Sequence, residues 1–440
     1  MREYLELLRA YPHYRNLWLG RTVSLLGDWF NLLASAQLIA NLTNSGTAVS
    51  GLFLARFLPI FLATPYAGVL ADRLNRRNIM IVADLARAAT VLGFLFIRSP
   101  DQIWIFYALT ALQFTLSALY NPAHSAVIAN VVPTEKLVTA NTLDGLTWSF
   151  MLAIGALLGG IAAHLLGVQM AFVLDSISFL VSAWFVRKIQ LVYTTAAVSK
   201  TVSDGTDTSG PEETRGGLGQ FLDGLRYLRL RPFLLALALV KAGGSLVWGA
   251  INVLEIPVAN DTFPIDGSGT LTLGLIFGLV GVGTGVGPLL LRMWTKESPT
   301  AMLRSIGIGF ALLCAGAIGF GFAPTLPVAL AAITLRAIGS GALWVFSAAL
   351  LQSMVHDEFR GRVFAFEFTV LTLAESLGTL YGGLAQDRLG LLPQPAMITA
   401  GIFGLFVTAA WLMIQEQSLR RGRLQRALQD ALPAPVAPPP

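Results

Sequence analysis

Apolar residues in this chain come in long unbroken runs. Residues 51–70 and 79–97 form two of them, each long enough to cross a bilayer core of roughly 30 Å as a helix. Read the same way, the first half predicts spans near 16–42, 47–70, 79–98, 103–129, 140–166 and 168–190. The second half predicts spans near 232–259, 269–292, 301–322, 326–353, 363–388 and 395–416. The expected fold is an all-α membrane protein of about twelve transmembrane helices in two pseudo-symmetric six-helix bundles.

Four spans break their apolar run with polar residues at alternating steps of three and four, which places them on one helix face. Span 1 carries Arg21, Ser24, Asp28, Asn31 and Ser35, and span 4 carries Gln113, Ser117, Tyr120 and His124. Span 7 carries Lys241, Ser245, Trp248, Asn252 and Glu255, and span 10 carries Arg336, Ser340, Trp344 and Ser347. A charge at bilayer depth costs several kcal/mol or more, so Asp28, Lys241, Glu255 and Arg336 should face a wet cavity or a partner. Any single Ser or Asn can equally be a hydrogen bond between packed helices. His124 reads as a satisfied helix-end histidine.

The halves echo each other at an offset near 220 residues. Gly287 to Arg292 and Lys296 fall where Gly68 to Arg73 and Arg77 stand in the first half, with Leu291 in place of the acid, and Asp144 falls opposite Glu367. Two parallel six-helix repeats with a substrate site at mid-membrane between them would leave such a trace.

Composition agrees with the hydropathy pattern. Of 440 residues, 55% are hydrophobic and 12% charged, and mean hydropathy is +0.66, far from the quarter-charged make-up of a soluble domain. The net charge of +5 is accounted for by loop arginines rather than by nucleic-acid binding. With both termini in the cytosol, roughly 23 Lys or Arg fall on that side and about two, Arg98 and Arg388, outside. The one cysteine, Cys314, excludes an intramolecular disulfide, and four scattered histidines make no metal cluster. No cofactor is implied. The start, Met1 to Arg9, is amphipathic rather than a cleavable leader, and reads as a short interfacial helix.

The loop between spans 2 and 3 reads Gly68-Val69-Leu70-Ala71-Asp72-Arg73-Leu74-Asn75-Arg76-Arg77. It resembles the G-x-L-A-D-R-x-G-R-[RK] signature of the major facilitator superfamily, with Asn75 at the expected glycine. Three further features resemble the drug:proton antiporter branch that includes macrolide and siderophore exporters. These are Gly27-Asp28-Trp29, the run from Val131-Val132-Pro133 to Ala171–Phe179, and Arg360-Gly361-Arg362-Val363. Two positions depart from it: Ala156 stands where span 5 usually has proline, and Gln113 where span 4 often has arginine.

The resemblance implies a secondary active exporter of a bulky, partly hydrophobic small molecule of drug or siderophore type, coupled to protons, whose spans 1, 4, 7 and 10 line the cavity. Asp28, Arg21, Arg56, Lys241, Glu255, Arg336 and Glu375 are the expected coupling and cavity residues. Protonation of Asp28 or Glu255 would compete with substrate or with Arg21, Arg56 and Lys241. Asn31, Gln113, Tyr120, Phe150, Trp248, Asn252 and Trp344 are the expected substrate lining. Gly68, Asp72, Arg73, Arg76, Arg77, Asp84, Asp144, Arg360 and Gly361 are the expected cytoplasmic gate. There Asp72 would meet the start of span 11 near 361–364, and Arg73 and Arg76 would pair with Asp84 or Asp144. A lipid translocator is the alternative transport reading. A membrane enzyme would need a nucleophile–base or metal constellation, which the spacing does not provide, and the charged stripes argue against a non-transporting sensor.

The expected organisation is a first bundle at 1–192, a cytoplasmic linker with an interfacial helix at 193–231, a second bundle at 232–417, and a disordered Pro-rich tail at 418–440. The expected setting is the cell inner membrane, multi-pass, as a monomer whose partners are the lipid bilayer, protons and substrate, with no nucleic acid.

Overall fold

The computed structural model describes residues 2–190, 217–265, 269–295 and 298–430. Its first half holds α1 (Arg2–Ala10), α2 (Pro12–Thr43), α3 (Gly46–Arg73), α4 (Arg76–Leu92), α5 (Ile103–Val131), α6 (Leu137–Leu166) and α7 (Val168–Arg187). The second holds α8 (Gly217–Arg229), α9 (Pro232–Pro257), α10 (Gly269–Thr295), α11 (Pro299–Gly321), α12 (Leu326–Met354), α13 (Asp357–Asp387), α14 (Pro393–Arg420) and α15 (Arg423–Asp430). Twelve of these helices, α2–α7 and α9–α14, are long and apolar enough to cross a membrane.

Proline opens α2, α9, α11 and α14 within their first turn, where its missing N–H costs no helical hydrogen bond. Several helices begin before their apolar runs do, α13 six residues earlier than the sequence predicts, because the backbone ladder persists through charged turns outside the hydrocarbon. A two-residue turn joins α2 to α3. Asn44 takes a left-handed φ of 46°, which asparagine tolerates, and the Ser45 side chain caps α3 by accepting from the Ala48 N–H.

Matching helices of the two halves choose matching neighbours. In the first half α2 packs on α6 and α7, and α4 on α5 and α7; in the second α9 packs on α13 and α14, and α11 on α12 and α14. Across the halves, α3 meets α13 and α6 meets α10. Call the end of the bundle that holds α1 and α15 the terminal end, and the opposite end the far end. Gly160 of α6 and Gly274 of α10 cross near the far end so closely that a Cβ on either would lie 2.7 or 2.9 Å from the other's Cα. On α3 and α13, Ser50 Oγ donates to the Thr379 carbonyl at 2.7 Å. Toward the terminal end the same four helices carry exposed side chains, among them Tyr66, Trp148, Met293 and Phe368. The described contacts thus join the halves near the far end, and α3 also meets α8 of the second half.

Two expectations are corrected here. The tail is not irregular from 418: α14 runs on to Arg420, and α15 follows with Leu424 buried, because Leu424, Ala427 and Leu428 share one face. The expected interfacial helix is α8, but it docks on α13 with Tyr227 and Leu228 in the second half's core. The polar linker at 193–216 and the proline tail from 431 lie outside the described residues.

Candidate functional site

The two halves handle their intramembrane charges differently. In the second half Arg336 of α12 meets Glu255 of α9 at 2.8 Å, both wholly buried. The Lys241 ammonium on α9 meets Glu367 of α13 at 3.1 Å and lies 4.8 Å from the Trp344 ring centroid. The expectation that Lys241 opposes Glu255 is corrected, since each already holds another partner. Trp248 lies half-buried under the Arg336 guanidinium at 5.3 Å. Glu367 was missed as a site residue; its signal was only its match to Asp144. Glu375 is half-buried and has no cation partner among the described residues.

In the first half one ion pair is closed. Arg87 of α4 binds Asp84 one turn earlier, Ser182 of α7 donates to the other Asp84 oxygen at 2.7 Å, and all three are buried. The Arg87 plane also lies over the rings of Tyr120 (4.7 Å) and Phe179 (4.3 Å). Arg87 was not foreseen, although an acid and an arginine three apart in an apolar span was a readable signal.

Beside this pair stands a group that is not closed. Asp28 on α2 is half-buried and interacts electrostatically with Arg87, Arg21 and Arg56. Asp175 on α7 is wholly buried, interacts electrostatically with Asp28, and has one carboxylate oxygen without a partner. Gly27 lets α2 approach this carboxylate, for a Cβ there would collide with Asp175 and Ser178. Asn31 turns its amide between Asp175 and Gln113 Oε1, the latter at 3.5 Å. Arg56 on α3 lies 4.4 Å over the Phe114 ring and leaves one terminal nitrogen unpartnered. Among the described residues neither Asp28 nor Asp175 has a direct ion pair. Asp175 stood in the sequence motif, but nothing there placed it against Asp28.

The expected lining divides. Phe150 and Trp344 are exposed, 56% and 44%. Tyr120, Gln113, Asn31 and Asn252 are corrected: all are buried, and for the first three a polar or π face is used inside a bundle. Asn31 and Gln113 join Ser35 in a hydrogen-bonded string, the Ser35 hydroxyl donating to Asn31 at 3.2 Å, and Tyr120 serves as the wall for Arg87.

The expected gate is also revised. Asp84 does not pair with Arg73 or Arg76, both its oxygens being occupied. Asp144 lies 3.8 Å from His124 Nε2. Arg76 donates to Asn130 at 2.9 Å, and Arg77 to the Arg187 carbonyl. The surroundings of Gly68 and the Asp72 side chain, and with it the contact of Asp72 with 361–364, lie outside the described residues; Gly361 is exposed and Arg360 half-buried. The clasp that the structure does describe is at the far end. There the Asp387 carboxylate, closing α13, accepts from Ser45 Oγ (2.6 Å), Gly46 N (2.9 Å), Thr47 N (2.9 Å) and the Thr47 hydroxyl. One carboxylate thus satisfies the unpaired amides at the start of α3, where the helix dipole favours negative charge. Asp387 was not foreseen: a lone acid at a span's end carries no signal of its target.

The chain is 26% identical to macrolide efflux protein A of Streptococcus pyogenes, over 86% of this chain and 90% of that one. It is 24% identical to a candidate bacilysin exporter, BacE, of Bacillus amyloliquefaciens, over 89% and 93%. Its fold matches a crystal structure of a bacterial homolog of the human lysosomal transporter Spinster, inward-facing and unoccupied, with a TM-score of 0.71 and 14% identity over 96% of this chain and 98% of that one. Residues 17–378 match the Major Facilitator Superfamily. The chain belongs to that superfamily of membrane transporters.

Proposed function

We propose that this transporter is a proton-coupled exporter of bulky, partly hydrophobic small molecules, working by alternating access with its terminal end in the cytosol of a cell whose inner membrane it spans as a monomer. The observation that carries the coupling is the electrostatic contact of Asp28 and Asp175 without a direct cation partner, one half-buried and the other sealed. Two carboxylates in such a place change their joint charge by taking or releasing a proton. A substrate cation, or Arg21 or Arg56 swinging in, answers the same charge, so proton and substrate occupy the site in alternation. Glu375, uncompensated in the second half, is the next candidate. Exposed Phe150 and Trp344 supply flat apolar surface of the kind that holds aromatic or macrocyclic cargo. The named cargoes of the similar exporters, a macrolide and bacilysin, set the size range for a first panel.

Proteoliposomes with an imposed pH gradient test this reading against such a panel. Saturable uptake that follows the gradient and collapses with it is expected, and saturable uptake indifferent to the gradient removes proton coupling. Flux of a fluorescent phospholipid instead of the panel would favour the lipid-translocator alternative. Orientation is read from single cysteines at Leu230 (82% exposed, terminal end) and Leu392 (72% exposed, far end). An impermeant reagent outside intact cells should label only the second; the native Cys314 is buried.

A further inference from the structure

At the terminal end of the second half, away from the transport site, a cavity of about 350 Å³ opens between the start of α9, the end of α12 and α15. Its polar wall holds three arginines, Arg231, Arg423 and Arg426, together with His356. Among the described residues no carboxylate lines it and none of the three arginines has an acidic partner. The arrangement is built rather than incidental. The Arg231 guanidinium lies 4.0 Å over the Tyr227 ring and donates to the Tyr227 carbonyl at 3.4 Å. Tyr227 itself stacks on Phe359 at 4.5 Å and bonds His356 at 3.2 Å. Across the cavity, Leu424 is buried in the core and holds α15 so that Arg423 and Arg426 border the same space.

Three guanidinium groups around one space repel one another unless an anion joins them. The forked donors of arginine match a phosphate group. Phe233, Leu234 and Met354, all buried, form an apolar side of the cavity, and Leu230 at its rim is almost fully exposed. A site basic on one side and apolar on the other, level with the first turn of a membrane-spanning helix, suits a ligand with a phosphate head and an apolar body. We propose that this cavity binds the phosphate of an anionic ligand, the headgroup of a phospholipid from the adjoining leaflet, and so ties α8, α9, α12 and α15 together. Only the identity of that leaflet rests on the orientation proposed above.

The full chain, purified in detergent, is incubated with phosphatidylglycerol, cardiolipin or phosphatidylcholine, and bound lipid is counted by native mass spectrometry. Wild type should retain the two anionic lipids in preference to phosphatidylcholine. Each arginine near a headgroup contributes roughly fivefold to retention, so the double variant Arg423→Gln/Arg426→Gln should lose about 25-fold. Arg420→Gln, whose side chain pairs with Glu416 at 2.7 Å, is the matched control and should change little. Pyrophosphate added as a soluble competitor separates the sources. If it binds with the same arginine dependence while the lipids do not, the phosphate comes from a soluble ligand. Equal lipid retention by wild type and the double variant, with no pyrophosphate binding, overturns the site. Neither readout uses transport, so this failure and failure of the transport reading are separate results.

Discussion

Arg21 and Lys241 stand 220 residues apart, nine residues into matching helices, and they meet different neighbours. Lys241 is closed by Glu367 at 3.1 Å. Arg21 only approaches the matching acid, Asp144, which lies 3.8 Å from the His124 ring. The contrast repeats one layer along. Arg336 and Glu255 form a buried ion pair in the second half, while the first half has Gln113, Asn31 and Ser35 joined by neutral hydrogen bonds. At the place of Asp28 the second half has Trp248, a ring under an arginine rather than an acid beside one. One scaffold thus carries a half whose charges are mostly spent on each other and a half in which, beside the closed Asp84–Arg87 pair, Asp28, Asp175, Arg21 and Arg56 remain without a direct ion pair among the described residues. A buried closed pair serves rigidity, because opening it exposes two ions to low dielectric. An uncommitted group can change partner at small cost, which is what a transport cycle requires.

The largest effect should come from opening a closed pair. Glu255→Gln leaves the Arg336 charge buried and half-satisfied, and should cost about 3 kcal/mol or more of stability. A drop in melting temperature and in yield of monodisperse protein would report it. Replacing both residues by leucine should restore much of the loss, and a double variant as unstable as the single would mean that the pair is not the cause. On the other side of the comparison, Asp28→Asn and Asp175→Asn should each cut gradient-driven transport tenfold or more, worth about 1.4 kcal/mol in the cycle, while melting stays close to wild type. If they unfold the protein as Glu255→Gln does, the two halves are not different in kind.

A smaller effect is expected at the far-end clasp. Asp387→Asn keeps the side-chain size but removes the charge from a helix cap, an effect of about 1 kcal/mol. That would move the balance toward molecules open at the far end by roughly fivefold. Paired spin labels on α3 and α13 measure the shift, and an unchanged distance distribution would make Asp387 a mere surface cap. The smallest change belongs to the neutral string. Gln113→Ala removes one long hydrogen bond and should cost about 0.5 kcal/mol, visible in melting and nearly silent in transport. A loss of coupling there would extend the working group beyond its charged members.

How much was legible beforehand depends on the range over which each feature is decided. The twelve spans, their approximate limits and the pairing of halves are set by the local density of apolar residues, and a helix of bilayer length needs only its own backbone to satisfy its hydrogen bonds. Polar stripes at steps of three and four were equally local, so α2, α5, α9 and α12 were correctly singled out as carriers of polar faces. Partner choice was another matter. Glu255 sits on the same helix face as Lys241, yet Arg336 from α12 takes it, and Lys241 turns to α13. The distance between two groups on different helices depends on crossing angle and on small residues such as Gly27, Gly160 and Gly274, and none of this is encoded in periodicity.

The sequence by itself determined that this chain spans a membrane many times, repeats itself once and keeps a few charges where lipid would reject them. Those facts follow from transfer free energies summed along one helix at a time. Only the tertiary structure decided which charges are closed and which stand open, that Tyr120 is a wall and not a lining, that Asp387 reaches across to cap α3, and that three scattered arginines face one cavity. Each of these is a contact between helices remote in sequence, and hydrogen bonds and direct ion pairs form only when their atoms come within about 3–4 Å, so they exist only once the packing has fixed where every helix lies.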